Sequence, residues 1–300
     1  MANTKELRER IKSVKSTQQL TRAMKMVAAA KLKRAQDAIV QLRPYAQKLG
    51  EIMGNIAADM GDDLDSPYTK EQKPEKVLLV VVTSNRGLCG AFNTNVNKGA
   101  LEVAQGLYAE QLAAGNVSVL AIGKKSFEYF KKRGFPLVGE NNDVFQNLSF
   151  DTVNSIASLV MDGFVEGKWN RVDLVFNEFK NVMSQIKKHE QFLPIVGTPA
   201  PAAGATGAAT APTDYIFEPN KADILKDLIP KSLRTRFFKA VLESNAGEHG
   251  ARMVAMDNAT TNAEELIKQL KLAYNQARQA AITKEILEIV AGAEALASAG

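Results

Sequence analysis

Three hundred residues are enough for two medium domains, or for one domain carried with long helices. The hydrophobic fraction of 45% can supply a buried core, yet the longest apolar run, Val77 to Val82, is far short of the roughly 20 residues that a membrane-spanning helix needs. The net charge of +5 is concentrated at the start, where the first 48 residues hold about twelve Lys or Arg against about three acids; this marks either an interaction surface for phosphate, anionic lipid or an acidic protein, or a solvated helix face.

Lys5, Arg8, Arg10 and Lys12 have no apolar stretch behind them, so no signal peptide is expected. Cys89 is the single cysteine, which excludes an internal disulfide and fits a reducing compartment. The expected setting is cytosolic, or peripheral on the cytosolic face of a membrane.

The first element is a long helix over residues 1–60, opened by Asn3 and Glu6 in capping-box spacing. From Leu32 its apolar positions run Leu32, Ala35, Ile39, Leu42, Ala46, Leu49, Met53 and Ile56, with the alternating three-four spacing of a left-handed coiled coil. The earlier anchors Leu7, Ile11, Val14, Leu20, Met24 and Val27 fall out of that register, which predicts irregular winding. Pro44 is expected to bend or loosen the helix, and the Asp-rich stretch after Gly61 to end it.

A body follows over residues 61–196. Strands are expected at Val77–Val82, Val117–Ile122, Val172–Phe179 and Gln191–Val196, with helices over Asn93–Ala114, Lys125–Arg133 and Thr152–Glu166. Strand–helix alternation predicts an α/β body with a doubly wound, mainly parallel sheet; the last two strands, with no helix between them, form an antiparallel edge pair. Residues 197–213, almost wholly Ala, Pro, Gly and Thr, are expected to be a flexible linker.

A second long helix is expected over residues 214–300, with a break at Pro230. Its apolar and small positions Met256, Ala259, Ala263, Leu266, Leu270, Ala273, Ala277 and Ala280 repeat the four-three spacing. Two such seams at opposite ends of one chain most simply bury each other as an antiparallel coiled coil, and about 50 helical residues would reach roughly 75 Å.

Catalytic chemistry is hard to find. The turn Ser84–Gly90 sits where many α/β proteins hold phosphate but lacks the G-x-G-x-x-G spacing. Gly123-Lys124-Lys125-Ser126 imitates the end of a P-loop, with Ser118 where the first glycine should stand. His189 and His249 lack metal-ligand spacing, and Cys89 has no base beside it in sequence, so no catalytic residue, metal or cofactor is expected. A nucleic-acid-binding coiled-coil protein stays open as the alternative, since it would use the basic helix, although no aromatic-rich basic patch accompanies it.

Four blocks resemble the γ subunit family of F-type ATP synthases. They are Thr21–Leu32 (TRAMKMVAAAKL), Ser84–Gly90 (SNRGLCG, with Asn85 where the family commonly has aspartate), Glu248–Met256 with Asn258-Ala259-Thr260 and Asn262-Ala263, and Ile282–Glu285 with Glu288 and Gly292-Ala293. Gly247 stands where the family usually has serine.

The resemblance implies a non-catalytic central rotor shaft that couples a proton-driven ring to the catalytic head. Its implied partners are the α and β subunits of the head, the ε subunit and the membrane c-ring, with no nucleic acid, peripheral to a bacterial inner membrane on its cytoplasmic side. It also implies that Met24 and Arg252 affect coupling, that Arg278, Gln279 and Thr283 contact β, and that Tyr215 and Glu218 meet the ring. By helical spacing alone, Met24 reads as core and Arg278 as a solvated charge.

Overall fold

The computed structural model describes residues 4–60, 66–70, 72–195 and 221–299. Two long helices, α1 (Thr4–Met60) and α6 (Lys221–Ala299), flank a four-stranded sheet. The described chain forms two compact units, Ala28–Arg252 and the pair of segments Met1–Val27 and Met253–Gly300. The expected linker 197–213 lies outside the described residues.

In the larger unit the sheet has the order β2-β1-β3-β4, built from β1 (Val77–Val82), β2 (Val117–Ile122), β3 (Arg171–Phe179) and β4 (Gln185–Leu193). β1 pairs in parallel with β2 and β3, while β3 and β4 are antiparallel. All six residues of β1 are buried because helices cover both faces. On one face Leu78, Val80 and Val82 meet α5 (Phe150–Val165) and the first turns of α6; on the other Val77, Leu79 and Val81 meet α2 (Phe92–Gly106) and Phe130 of α4 (Lys124–Lys131). A strand buried on both sides needs a continuous apolar run, which is how β1 was legible.

Three expectations change here. The helix expected over Asn93–Ala114 is two, α2 and the short α3 (Ala109–Ala113), because Tyr108 leaves helical geometry between them and its hydroxyl donates to buried Asp173 at 2.6 Å. The final strand begins at Gln185 rather than Gln191. Lys187, Lys188, His189 and Glu190 concealed it, as charged residues do on an edge strand; Lys188 pairs with Glu178 across the hairpin at 3.2 Å. Asn181 shapes the hairpin turn, its side-chain oxygen accepting from the amides of Met183 and Ser184 at 3.0 and 2.7 Å.

The third change is that α6 runs unbroken through Pro230. A proline inside a helix costs about 3 kcal/mol. Leu225, Ile229, Leu233 and Phe237, one turn apart, are all buried against the sheet, and each contributes about 1.5–3 kcal/mol, so packing outweighs the lost hydrogen bond. Pro44 is likewise contained within α1.

In the smaller unit the two helices are antiparallel. Arg8 donates to the Tyr274 hydroxyl at 2.8 Å, Gln18 and Arg22 reach Glu264 at 2.9 and 3.3 Å, and Lys25 reaches Asp257 at 2.6 Å, so partners descend along α6 as they ascend along α1. Thr21 and Thr260 place their buried hydroxyls 2.8 Å apart. The seam of α1 is therefore Leu7, Ile11, Val14, Gln18, Thr21 and Lys25, in step with Ala28, Leu32, Ala35 and Ile39 further on. This overturns the expected register slip. Leu20 and Val27, read as anchors, are 61% and 57% exposed, because the regular positions go to polar and small residues. On this part of α6 the buried positions are Met256, Thr260, Ala263, Ile267 and Leu270, so Thr260 and Ile267 replace the expected Ala259 and Leu266.

Candidate functional site

A doubly wound sheet offers a ligand crevice beyond the carboxyl ends of its parallel strands, and here that is the meeting of the β1–α2 and β2–α4 turns. A phosphate would be held there by free amides at a helix N-terminus. The first three amides of α4 are already taken: Lys124 N donates to Asn85 Oδ1 at 3.0 Å, Lys125 N to the Ser84 carbonyl at 3.1 Å, and Ser126 N to Thr83 Oγ1 at 2.8 Å. Gly123 (φ 102°) permits this closeness, since a Cβ there would stand 2.2 Å from the Thr83 carbonyl oxygen. The P-loop-like sequence thus has its donors turned onto a neighbouring turn of its own chain.

The β1–α2 turn is closed with equal economy. Asn93 on α2 accepts from the Ser84 amide at 2.9 Å and donates to Ser84 Oγ at 2.8 Å and to Cys89 Sγ at 3.2 Å. Cys89 is buried, and burial pushes its thiol pKa up, away from a reactive thiolate. Leu88 adopts a left-handed backbone (φ 62°) and Gly90 follows at φ 59°.

Helix α6 clips onto this turn. Arg252 Nη2 donates to the carbonyls of Arg86 at 3.2 Å and Gly87 at 3.3 Å, while Nη1 pairs with Glu248 at 2.5 Å and approaches His249 Nδ1 at 3.4 Å. Burial raises the Glu248 carboxyl pKa, with Arg252 opposing it. Burial, then Arg252 and Lys31, push His249 down to about 4, so its imidazole is neutral at pH 7 and can accept from Arg252.

A second polar cluster was invisible in sequence. Asp173 on β3 is fully buried and accepts from Tyr108 at 2.6 Å and Arg171 at 3.1 Å, with His189 Nε2 of β4 at 2.6 Å. Strand register alone brings His189 to β3, opposite Val175. No third ligating side chain joins it: among the described residues no group of three His, Cys, Asp or Glu could hold a metal ion.

The residues singled out in sequence are scattered. Met24 is half-buried on α1, one residue from the Lys25–Asp257 pair. Arg252 is nearly buried in the clip. Arg278, Gln279 and Thr283 are exposed on α6, and Arg278 helps Arg8 lower the Tyr274 pKa. Tyr215 and Glu218 lie outside the described residues. Glu248, Asn85 and Asn93, which hold the turn, carry no spacing signal that reasoning from residue type could have caught. No described helix is long and apolar enough to cross a membrane.

Comparison with known proteins gives a consistent result. A family model described as ATP synthase matches residues 3–296. The chain is 54% identical over 296 residues to the ATP synthase gamma chain of Cytophaga hutchinsonii, covering 99% of each. Its fold is similar to a chain in the Euglena gracilis mitochondrial ATP synthase rotor (TM-score 0.61, 23% identity, 93% of this chain and 98% of that one). It is also similar to one in the OSCP/F1/c-ring assembly of the same enzyme (TM-score 0.64, 22% identity, 98% and 94%). With that identity spread over almost the whole sequence, the chain belongs to the ATP synthase gamma chain family.

Proposed function

We propose that the chain is the central rotor shaft of a proton-translocating ATP synthase and performs no bond chemistry itself. The observation that carries this reading is the near full-length identity to an ATP synthase gamma chain, which spans both long helices and the body. The closed crevice agrees with it, because a subunit that transmits torque has no use for nucleotide-binding amides. In this reading the paired helices turn within the head of α and β subunits, and the body meets the ε subunit and the membrane c-ring. The assembly is peripheral to a bacterial inner membrane, on its cytoplasmic side.

The same proposal covers the residues and the layout. Met24 and Arg252 govern coupling, Arg278, Gln279 and Thr283 contact β, and Tyr215 and Glu218 meet the ring. Residues 1–60 and 214–300 are the rod helices, 61–196 the body and 197–213 a linker. The exposure of Arg278, Gln279 and Thr283 supports their part, since a contact residue must be free to reach a partner.

The test has two arms. The chain purified alone is expected to show no saturable ATP binding at micromolar concentration and no hydrolysis. Combined with the other subunits of the enzyme in membrane vesicles, it is expected to give ATP-driven proton uptake. Turnover by the isolated chain, or reconstituted vesicles that hydrolyse ATP without uptake, would overturn the proposal.

A further inference from the structure

We infer that the β3–β4 hairpin is the strut through which the body steers the helix pair, and that Val182 and Phe179 at its end are positioning residues for coupling. The inference rests on the rotor reading above and gives a part to an element which that reading leaves unused.

The hairpin outruns the sheet it belongs to. Pairing of β1 with β3 stops at Val175, and from Phe176 to Phe179 the partner strand is β4 alone. Those residues make about 13 Å of two-stranded arm. Such an arm has little stability of its own in water and persists where something packs on it. Here both long helices do so. Phe179 and Val182 pack against a buried cluster of Leu32 and Ala35 from α1 and Ala246 from α6, with Ile39 beside them. Where the arm lies on α6, the helix carries glycine. A Cβ on Gly250 would meet Phe179 Cε2 at 3.3 Å and the Val182 carbonyl oxygen at 3.5 Å, and one on Gly247 would meet Gln185 Cγ at 3.4 Å.

This placement gives each helix a second anchorage. Ile52 and Met53 of α1 join the core on one face of the sheet, while Ala35 meets the arm about 27 Å of helix away from Met53. Leu233 and Phe237 hold α6 to the same core, and Gly250 meets the arm about 20 Å beyond Phe237. A helix fixed at one level pivots under torque; a second level fixes its direction. The arm is tied on its other sides as well. Asn181 closes its turn, Lys188 pairs with Glu178 across it, and Lys187 reaches Glu102 of α2 at 2.6 Å. Met183, in the same turn, is 86% exposed and takes no part in the packing.

The experiment reads proton uptake per ATP hydrolysed in vesicles carrying the reconstituted enzyme. Val182→Ala, which shortens a half-buried side chain at a turn, should lower the ratio about threefold with hydrolysis retained, within the range by which residues on a coupling route act. Val182→Ile, which keeps the contact, should stay near the wild-type ratio, and so should Met183→Ala. Val153→Ala removes the same methyl groups from the fully buried core at α5, so it destabilises the body without touching the arm and should also keep the wild-type ratio. Amide exchange at residues 179–185 should quicken in Val182→Ala and not in Val153→Ala. If Val182→Ala does not assemble, Phe179→Leu takes its place with the same expected loss. A wild-type ratio for the arm variant, or an equal loss in Val153→Ala, overturns this inference alone. Failure of the wild-type chain to couple at all overturns the rotor reading, and this inference with it.

Discussion

Two helical glycines show how local packing decides the sign of a substitution. A Cβ on Gly163 would stand 2.2 Å from Cζ2 of Trp169, a ring that is buried and tied by its N–H to the Val160 carbonyl at 2.9 Å. A Cβ on Gly99 would meet Cδ of Lys187 at 2.4 Å, but that side chain ends in an exposed pair with Glu102 and can swing away. Gly163→Ala is therefore expected to destabilise the fold by about 1–3 kcal/mol, as overpacking does. Gly99→Ala should stay within about 1 kcal/mol of wild type, since an exposed ion pair is worth little and alanine favours the helix. Urea titration of both variants checks the contrast.

His249 provides a pH-dependent term at the same scale. Its folded pKa is held at about 4, below the ordinary 6.5, so between these values the unfolded chain binds more protons than the folded one. Its contribution is fully present above pH 6.5 and is lost as pH falls toward 4. Glu248 has a raised pKa and opposes this, favouring the fold at lower pH. His249→Gln, which keeps an acceptor for Arg252, should lose less stability than wild type between pH 7 and pH 5. Thermal melts at the two values measure it, and an equal loss in both proteins would remove His249 as the source.

At the scale of elements, the helix pair is specified by polar groups as well as apolar ones. Thr21 and Thr260 each donate to their own helix, to the Gln18 carbonyl at 3.0 Å and the Met256 carbonyl at 2.7 Å, while facing one another at 2.8 Å. Two hydroxyl protons serve three contacts, so the interhelical bond competes with the local ones. Replacing both residues by valine keeps the shape and removes both polar groups, and the double variant is expected to be at least as stable as wild type, within about 1 kcal/mol. Thr21→Val alone keeps the Thr260 hydroxyl satisfied by Met256 and should be nearly as mild. A loss of several kcal/mol in the double variant would assign the pair a larger share of stability than this geometry allows.

For the whole molecule, the proposed role makes Met24 a test of coupling rather than folding. It lies half-buried beside Lys25, and a lysine there would add a cation to a helix face that already carries Arg22 and Lys25. Unit charges about 4 Å apart interact by roughly 4 kcal/mol at an effective dielectric of 20, large against an ordinary surface substitution. An added pair with an acid on β would hold one rotary state too firmly. Met24→Lys should therefore assemble and hydrolyse ATP but pump protons poorly, while Met24→Leu, which conserves volume, should resemble wild type. Equal proton uptake per ATP in Met24→Lys and wild type would return Met24 to a packing role.

Taken alone, the sequence determined those features that rest on composition and period: two long helices, the buried strands Val77–Val82 and Val117–Ile122, and the single cysteine that excludes an internal disulfide. Each is a local signal, because a continuous apolar run or a three-four spacing needs no knowledge of its neighbour. Tertiary structure decided the rest. The seam of α1 follows geometric position rather than hydrophobicity, so Gln18, Thr21 and Lys25 face α6 while Leu20 and Val27 face outward. β4 is a strand because β3 pairs with it, despite five consecutive polar residues, Lys187 to Gln191. The crevice is closed because Asn85, Ser84 and Thr83, more than thirty residues before α4 in the chain, reach its first amides only once β1 and β2 lie side by side. Hydrogen bonds between segments distant in sequence leave no periodic trace, and only the folded chain reveals which donors remain free.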